Sequence, residues 1–125
     1  MSRLDERKKQ LQDRMLELMQ ANDLKKAEQM SYKTIKKEPA NPTFLDTYAW
    51  ILFLQERYEE ANIYIDQAIK NDTTPSGVLF EHAGDIYYHV GKTAEALASW
   101  QQALKLGDKS ATLKKKIELQ KYIPE

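Results

Sequence analysis

Apolar side chains recur along this sequence at steps of three and four residues from beginning to end. This spacing places them on one face of an α-helix, and no run alternates in the manner typical of a half-buried strand. The four glycines and four prolines fall mostly between the periodic segments. The pattern predicts an all-α chain of seven helices of about 14–20 residues, joined by short links.

The links carry recognisable helix-terminating and helix-capping residues. Asp23 is predicted to cap the second helix, and Asn41 the third, with Pro42 in its first turn. Gly91 is predicted to end a helix in the left-handed conformation. The breaks lie at residues 21–23, 38–42, 71–77, 91 and 107–108.

The helix pattern repeats. Positions 61, 65 and 68 of the fourth helix are matched 35 residues later by Ala96, Trp100 and Ala103, and Ala49 is matched by Gly84. A weaker copy lies 34 residues earlier, with Ala27, Met15 and Leu18 in the places of Ala61, Ala49 and Leu52. A helix pair that recurs at this period is typical of a repeat protein.

Period and positions together resemble the tetratricopeptide repeat family, whose units are 34-residue helix–turn–helix pairs. The match is strongest over residues 77–108, where Gly84, Tyr87, Gly91 and Ala96 occupy characteristic positions. The first copy departs most, with Asn22 in the place of the interhelical glycine. The resemblance implies a right-handed helical solenoid and one domain over residues 1–125, with units at about 8–41, 42–76 and 77–107 and a capping helix at 108–121.

Small residues have a packing role in this interpretation. Two helices approach to about 8–10 Å only where small side chains meet, so Gly84 and Ala96 are expected to face each other. In the capping helix, Leu113 and Ile117 share the inner face, and the lysines at 114–116 are expected to turn largely outward as a solvated run.

Composition narrows the function classes. The absence of cysteine excludes disulfides and thiolate chemistry. The net charge is zero, but residues 41–102 carry three basic and nine acidic side chains between two basic ends. This layout disfavours nucleic acid and suits a neutral or basic partner. No run is apolar enough for a membrane span, and the first residues are too polar for a secretory signal. We expect a cytoplasmic protein, or a cell-envelope one if the sequence is part of an exported protein.

The third helix is hydrophobic nearly all round. Ile51 and Leu54 are expected to be buried between units, whereas Trp50 and Phe53 project at positions that, in the family, line the concave inner groove. Aromatic residues are frequent binding anchors. The fifth helix is polar on its non-packing face. The predicted peptide-binding residues are Asp46, Trp50, Phe53, Glu81, His82, Asp85, Tyr88 and His89.

Catalysis and metal binding are less well supported by the same residues. His82 and His89 are seven positions apart, about 10 Å along a helix, which is too far for one ion. Besides these carboxylates and histidines, the sequence shows no nucleophile motif and no phosphate-binding glycine loop. We therefore expect no enzyme activity, metal or cofactor.

Family members that bind chaperone tails clamp a terminal carboxylate with lysine, asparagine and arginine side chains. The corresponding positions of this sequence are Gln12, Leu16, Thr47, Val78 and His82, and none matches. The sequence thus predicts a scaffold for a protein or peptide segment with apolar side chains that is neutral or basic. The alternative is self-association into a homo-oligomer, with basic ends meeting an acidic middle. The stretches at 48–53, 84–91 and 114–125 are similar to C-terminal repeat regions of bacterial cell-envelope proteins.

Overall fold

The computed structural model describes residues 3–20 and 23–124. Asn22 and the side chains of Met15 and Leu18, which enter the repeat alignment above, lie outside the described part of the chain. Within these two ranges the chain forms seven α-helices and no strand, as predicted. The helices are α1 (Arg3–Gln20), α2 (Leu24–Lys37), α3 (Pro42–Leu54), α4 (Tyr58–Asn71), α5 (Gly77–His89), α6 (Thr93–Lys105) and α7 (Leu113–Leu119).

The helices are arranged in two layers. Each helix packs against the next one along the chain, and α3 also contacts α5. Side-chain hydrogen bonds join α1 to α3 and α5 to α7. The odd-numbered helices therefore form a first layer, and α2, α4 and α6 form a second layer, each lying against two first-layer helices. The predicted unit boundaries fall in the links before α3 and α5, while the division into units itself stays a prediction.

The predicted helix ends that depend on local sequence are confirmed. The Asp23 carboxylate accepts a hydrogen bond from the Lys26 N–H at 3.3 Å, and the Asn41 side chain accepts one from the Phe44 N–H at 3.2 Å. Gly91 follows α5 with a φ of +84°. These caps satisfy backbone donors that the helix itself leaves unpaired.

Helices α1, α2 and α4 have the predicted length of about 14–20 residues, and the other four are shorter. Three helices have 13 residues, and the expected capping helix at 108–121 is the seven-residue α7. Residues 108–112 form turns instead, in which the Ser110 carbonyl oxygen accepts from the Leu113 N–H at 3.3 Å and the Ser110 hydroxyl from the Thr112 N–H at 3.4 Å. Such local hydrogen bonds of serine and threonine compete with a helical start.

One close contact determines how α5 and α6 pack. A Cβ built on Gly84 would lie 2.3 Å from ring atoms of Trp100, so no side chain fits there. The sequence correctly indicates a close approach at Gly84, but the nearest atoms belong to Trp100 and not to Ala96 as expected. Trp100 is buried with Ala96, Ala103 and Leu113 in one hydrophobic cluster.

Of the two apolar residues of α3 that were expected to be buried, one is buried and the other is exposed. Ile51 is fully buried and packs against Ala27 of α2, as predicted. Leu54 is 39% exposed, so its predicted burial is wrong. It is the last residue of α3 and faces an open cavity on the first layer. No described helix combines the length and the apolar character that crossing a membrane requires.

The link between α3 and α4 contains a strained residue that suggests a stabilising substitution. Glu56 has a φ of +61° and lies 35 residues before Gly91, at the equivalent position of the repeat. A side chain in this conformation costs about 1–2 kcal/mol of stability. Glycine removes this cost, but part of the gain is offset because glycine makes the unfolded chain more flexible. We expect Glu56→Gly to raise the free energy of unfolding by about 0.5–1 kcal/mol in urea denaturation.

Glu56→Ala is the matched control because it removes the carboxylate and keeps the Cβ. It should leave stability nearly unchanged. An equal gain in both variants would mean that the charge of Glu56, and not its backbone conformation, is unfavourable.

Candidate functional site

Three polar contacts join neighbouring helices of the first layer at equivalent positions. Gln12 Nε2 of α1 donates to Thr47 Oγ1 of α3 at 2.6 Å. His82 Nδ1 of α5 lies 2.8 Å from Asp46 Oδ1 of α3. Lys116 Nζ of α7 lies 2.9 Å from Glu81 Oε2 of α5. The partners are 35 or 36 residues apart, so the repeat period places side chains of successive first-layer helices in register.

Aromatic side chains form a continuous row across α3, the first residue of α4 and α5. The Trp50 ring stacks on Phe53 at a centroid distance of 4.5 Å and on His82 at 4.1 Å. Phe53 meets the edge of His89 at 5.0 Å, and His89 stacks on Tyr58 at 4.4 Å. We call these five rings the aromatic row. Trp50 and Phe53 share a face of α3 because they are three residues apart, as His82 and His89 share one of α5.

A buried cation lies beside this row. Lys116 is 1% exposed, and its ammonium contacts both Glu81 and Asp85 at 2.9 Å. The expectation that Lys116 turns outward is therefore wrong, whereas Lys114 and Lys115 are exposed. Since Lys116 is three residues after the buried Leu113, helical geometry turns both to the same face.

The buried carboxylates share one cation unequally. Burial raises the pKa of Asp85 to about 6, although Lys116 and the Trp100 indole N–H, which donates at 3.0 Å, both favour its charged form. Burial also opposes ionisation of Glu81, but hydrogen bonds, first that from Lys116, outweigh it and lower the pKa of Glu81. Burial likewise disfavours the ammonium of Lys116, yet Asp85 and Glu81 raise its pKa. Glu81 and Lys116 therefore carry the ion pair most firmly.

The chain returns to the aromatic row after α7. Gln120 adopts the left-handed conformation, with φ +53° and ψ +41°. The Tyr122 ring then lies edge-on to His89 at 4.7 Å and to Phe53 at 5.7 Å, with Lys116 Nζ 5.4 Å from its centroid. We call residues 120–124 the return segment.

A cavity of about 370 Å³ lies between the aromatic row, the buried side chains of Glu81, Asp85 and Lys116, and the return segment. Helix α3, helix α5, helix α7 and the return segment all contribute to its lining. The lining residues are Trp50, Leu54, Glu81, His82, Asp85, Lys116, Tyr122, Ile123 and Pro124. This volume suits a side chain or a small group of side chains.

The structure places seven of the eight residues predicted for peptide binding at or beside the aromatic row and its cavity: Asp46, Trp50, Phe53, Glu81, His82, Asp85 and His89. Glu81 and Asp85 lie beneath Lys116 and are buried. Tyr88 turns towards α6, with its ring 6.0 Å from Trp100. As peptide-binding residues all eight stay predictions.

Sequence reasoning missed three contributors to this face, Tyr58, Lys116 and Tyr122. A signal for Lys116 exists because it lies 35 residues after Glu81, at the equivalent position of the repeat. No local signal marks the reversal at Gln120 that returns Tyr122.

The histidines are engaged within the protein. His82 pairs with Asp46, and His89 Nδ1 lies 2.8 Å from the Asp85 carbonyl oxygen. Among the described residues no group of three or more histidine and carboxylate side chains is placed to hold a metal ion.

The contact between His82 and Asp46 should make stability depend on pH. Burial opposes the charge of His82, but Asp46, assisted by Asp85 and Glu81, raises its pKa above 6.5. The resulting stabilisation is complete below about pH 6.5 and is lost as pH rises through the folded-state pKa. Asp46→Asn should therefore lower the free energy of unfolding by about 1 kcal/mol at pH 5.5 and by much less at pH 9 in urea titrations. A loss of equal size at both pH values would contradict a charged His82.

Removing the buried cation should be far more damaging than removing its exposed neighbour. Lys116→Met leaves Glu81 and Asp85 buried without a counter-charge, and we expect a loss of about 3–5 kcal/mol. Lys115→Met, one residue earlier on the exposed face, should change stability by less than about 0.5 kcal/mol. Thermal unfolding of both variants measures the difference, and similar losses would mean that Lys116 is not buried with these acids.

Comparison with solved structures finds domains of one kind. The TPR domain of Arabidopsis OM64 aligns with a TM-score of 0.80 at 18% identity, over 92% of this chain and 94% of that chain. The Sgt2 TPR domain from Aspergillus fumigatus gives 0.79 at 17% identity, over 90% and 75%. The first TPR of Spaghetti (RPAP3), bound to the HSP90 peptide SRMEEVD, gives 0.78 at 14% identity, over 88% and 86%.

The sequence itself matches no family model and no curated protein. The similarity to bacterial cell-envelope repeat regions stays a prediction. Since the structural matches cover most of this chain and of the domains named above, the protein has the tetratricopeptide repeat fold, an all-α helical repeat solenoid.

Proposed function

We propose that the chain is a non-enzymatic scaffold that binds a peptide or protein segment on the first layer, across α3 and α5. The observation that carries this proposal is the aromatic row beside the cavity of about 370 Å³. Trp50 is partly exposed and stacked on both sides, so it is held rigidly where a ligand can reach it. Rigid aromatic side chains next to a pocket are the usual anchors of protein interfaces.

The tetratricopeptide repeat fold supports a peptide as the class of ligand, but the side chains of this chain do not favour an acidic peptide. The RPAP3 domain is bound to an acidic peptide. In this chain, two of the positions that correspond to the chaperone-tail clamp of the family are occupied by Gln12 and Thr47, which bond to each other, and a third by His82, which pairs with Asp46. Val78 is exposed and apolar. These side chains offer few free hydrogen-bond donors or positive charges to the carboxylate of a peptide. A neutral or basic segment with apolar side chains therefore fits better.

The polar groups of the face support binding more than catalysis. Glu81 and Asp85 neutralise Lys116, and the two histidines are hydrogen-bonded within the protein. Each of them is held by a partner within the protein, whereas general acid–base catalysis needs a group that can reach a proton of the substrate. Their arrangement holds the aromatic rings in place.

A display selection tests the proposal without assuming a natural partner. Random twelve-residue peptides are selected against the full chain, and the affinities of synthetic winners are measured by calorimetry. We expect winners with aromatic or large apolar residues and neutral or positive net charge. Trp50→Ala should weaken their binding at least tenfold, because it removes the central anchor.

Tyr32→Ala is the matched control, since Tyr32 is an exposed aromatic residue of α2 in the second layer. It should leave affinity unchanged, and circular dichroism should show native helicity for both variants. Winners that bind equally to the wild type and Trp50→Ala would contradict the proposed site. A selection without winners, combined with a mass that rises with concentration in light scattering, would favour self-association.

A further inference from the structure

We infer that the return segment is a built-in occupant of the binding face, and that the ligand carries the same chemistry: an aromatic side chain followed directly by apolar residues. The inference rests on the proposed function and deepens it. It assigns a seat for the aromatic side chain, formed by Phe53 and His89, which Tyr122 fills in this structure.

The backbone directs Tyr122 to this seat. Helix α7 ends at Leu119, and Gln120 reverses the chain in the left-handed conformation. The N–H of Lys121 then donates to the Lys116 carbonyl oxygen at 3.3 Å. A non-glycine residue adopts this conformation only where surrounding contacts compensate for it, and the seated Tyr122 ring supplies such contacts.

The seat is built for an aromatic ring. Phe53 stacks on Trp50, lies edge-to-face with Tyr58 and His89, and is only 6% exposed. Tyr122 approaches Phe53 and His89 at interplanar angles of 71° in both cases, the edge-to-face geometry that aromatic pairs prefer. The Lys116 ammonium beside the ring adds a cation–π contact.

Buried ion pairs hold the helix, whereas ring contacts of the half-buried Tyr122 hold the return segment. Lys116 anchors α7 through two buried ion pairs, and Leu113 anchors it in the core. In the return segment, Gln120, Lys121 and Pro124 are exposed. The segment can therefore leave the seat while α7 remains in place and the buried charges remain paired.

The positions after Tyr122 specify the rest of the ligand. Ile123 and Pro124 line the cavity together with Trp50 and Leu54, so these four residues give it an apolar part. A segment with tyrosine, phenylalanine or tryptophan in the seat would place its next two residues here. Apolar residues at these two positions would replace the contacts of Ile123 and Pro124.

The factor by which the return segment weakens ligand binding can be calculated. A short tether holds the return segment at an effective concentration of about 1 mM near the seat. If the return segment itself has a Kd of about 0.1 mM for the seat, it fills the seat about ten times more often than it leaves it open, so a ligand of the seat binds the wild type about tenfold more weakly than a form with the open seat.

The test uses full-length variants and one defined probe, a fluorescein-labelled peptide with the sequence of residues 119–125, LQKYIPE. Tyr122→Ala empties the seat and leaves Lys116 in place, and Tyr122→Gln is a second variant with a side chain of intermediate size. Anisotropy titrations should show that both bind the probe about tenfold more tightly than the wild type. The matched control Lys121→Ala keeps Tyr122 and should bind like the wild type. A probe with alanine in place of its tyrosine should lose binding to Tyr122→Ala.

Equal affinity of the probe for the wild type and both Tyr122 variants would overturn the inference, because the seat would not be occupied in competition. Absence of binding to every variant would overturn it as well, because the face would not accept this chemistry. A wild-type dimer that Tyr122→Ala dissociates would place the segment on a second copy and overturn the assignment to one molecule. The proposed function would survive these results if peptides selected by display still depend on Trp50.

Discussion

The burial of one lysine between two carboxylates determines how the last three helices, α5, α6 and α7, pack together. A cation can leave water only if carboxylates neutralise it, so Lys116 must lie where Glu81 and Asp85 reach it together. Asp85 also accepts the Trp100 indole N–H, and Trp100 in turn lies against Gly84. Ion pair, hydrogen bond and close packing thus fix α5, α6 and α7 relative to one another.

The same interaction decides what the first layer offers to a ligand. Residues 41–102 are strongly acidic, which suggests an acidic groove. In the folded chain, Lys116 pairs with the buried carboxylates of Glu81 and Asp85, and His82 lies against Asp46. Aromatic rings therefore dominate the reachable surface, and electrostatic attraction has a smaller part than the charge count indicates. Because α7 is fixed by its lysine, the chain that follows it is delivered to the aromatic row.

Repetition explains both the regularity and the variety of the site. Asp46, Glu81 and Lys116 are spaced by 35 residues and occupy one position of successive first-layer helices. The backbone geometry of the repeat brings each side chain next to its neighbour, whatever its chemistry. Opposite charges at two of these positions create the ion pair, while Asp46 pairs with His82 from the adjacent position. A solenoid can thus vary its contacts without changing its helix packing.

The sequence by itself determined the helical class, the helix order, the caps at Asp23 and Asn41 and the close approach at Gly84, because periodicity, capping and small side chains act locally. It also singled out Trp50, Phe53, His82 and His89 as neighbours on one face, because the repeat period relates α3 to α5. Only the tertiary structure decided the exposure of Leu54, the burial of Lys116 and the position of Tyr122. These depend on desolvation and on contacts between helices distant in sequence, which no local pattern records.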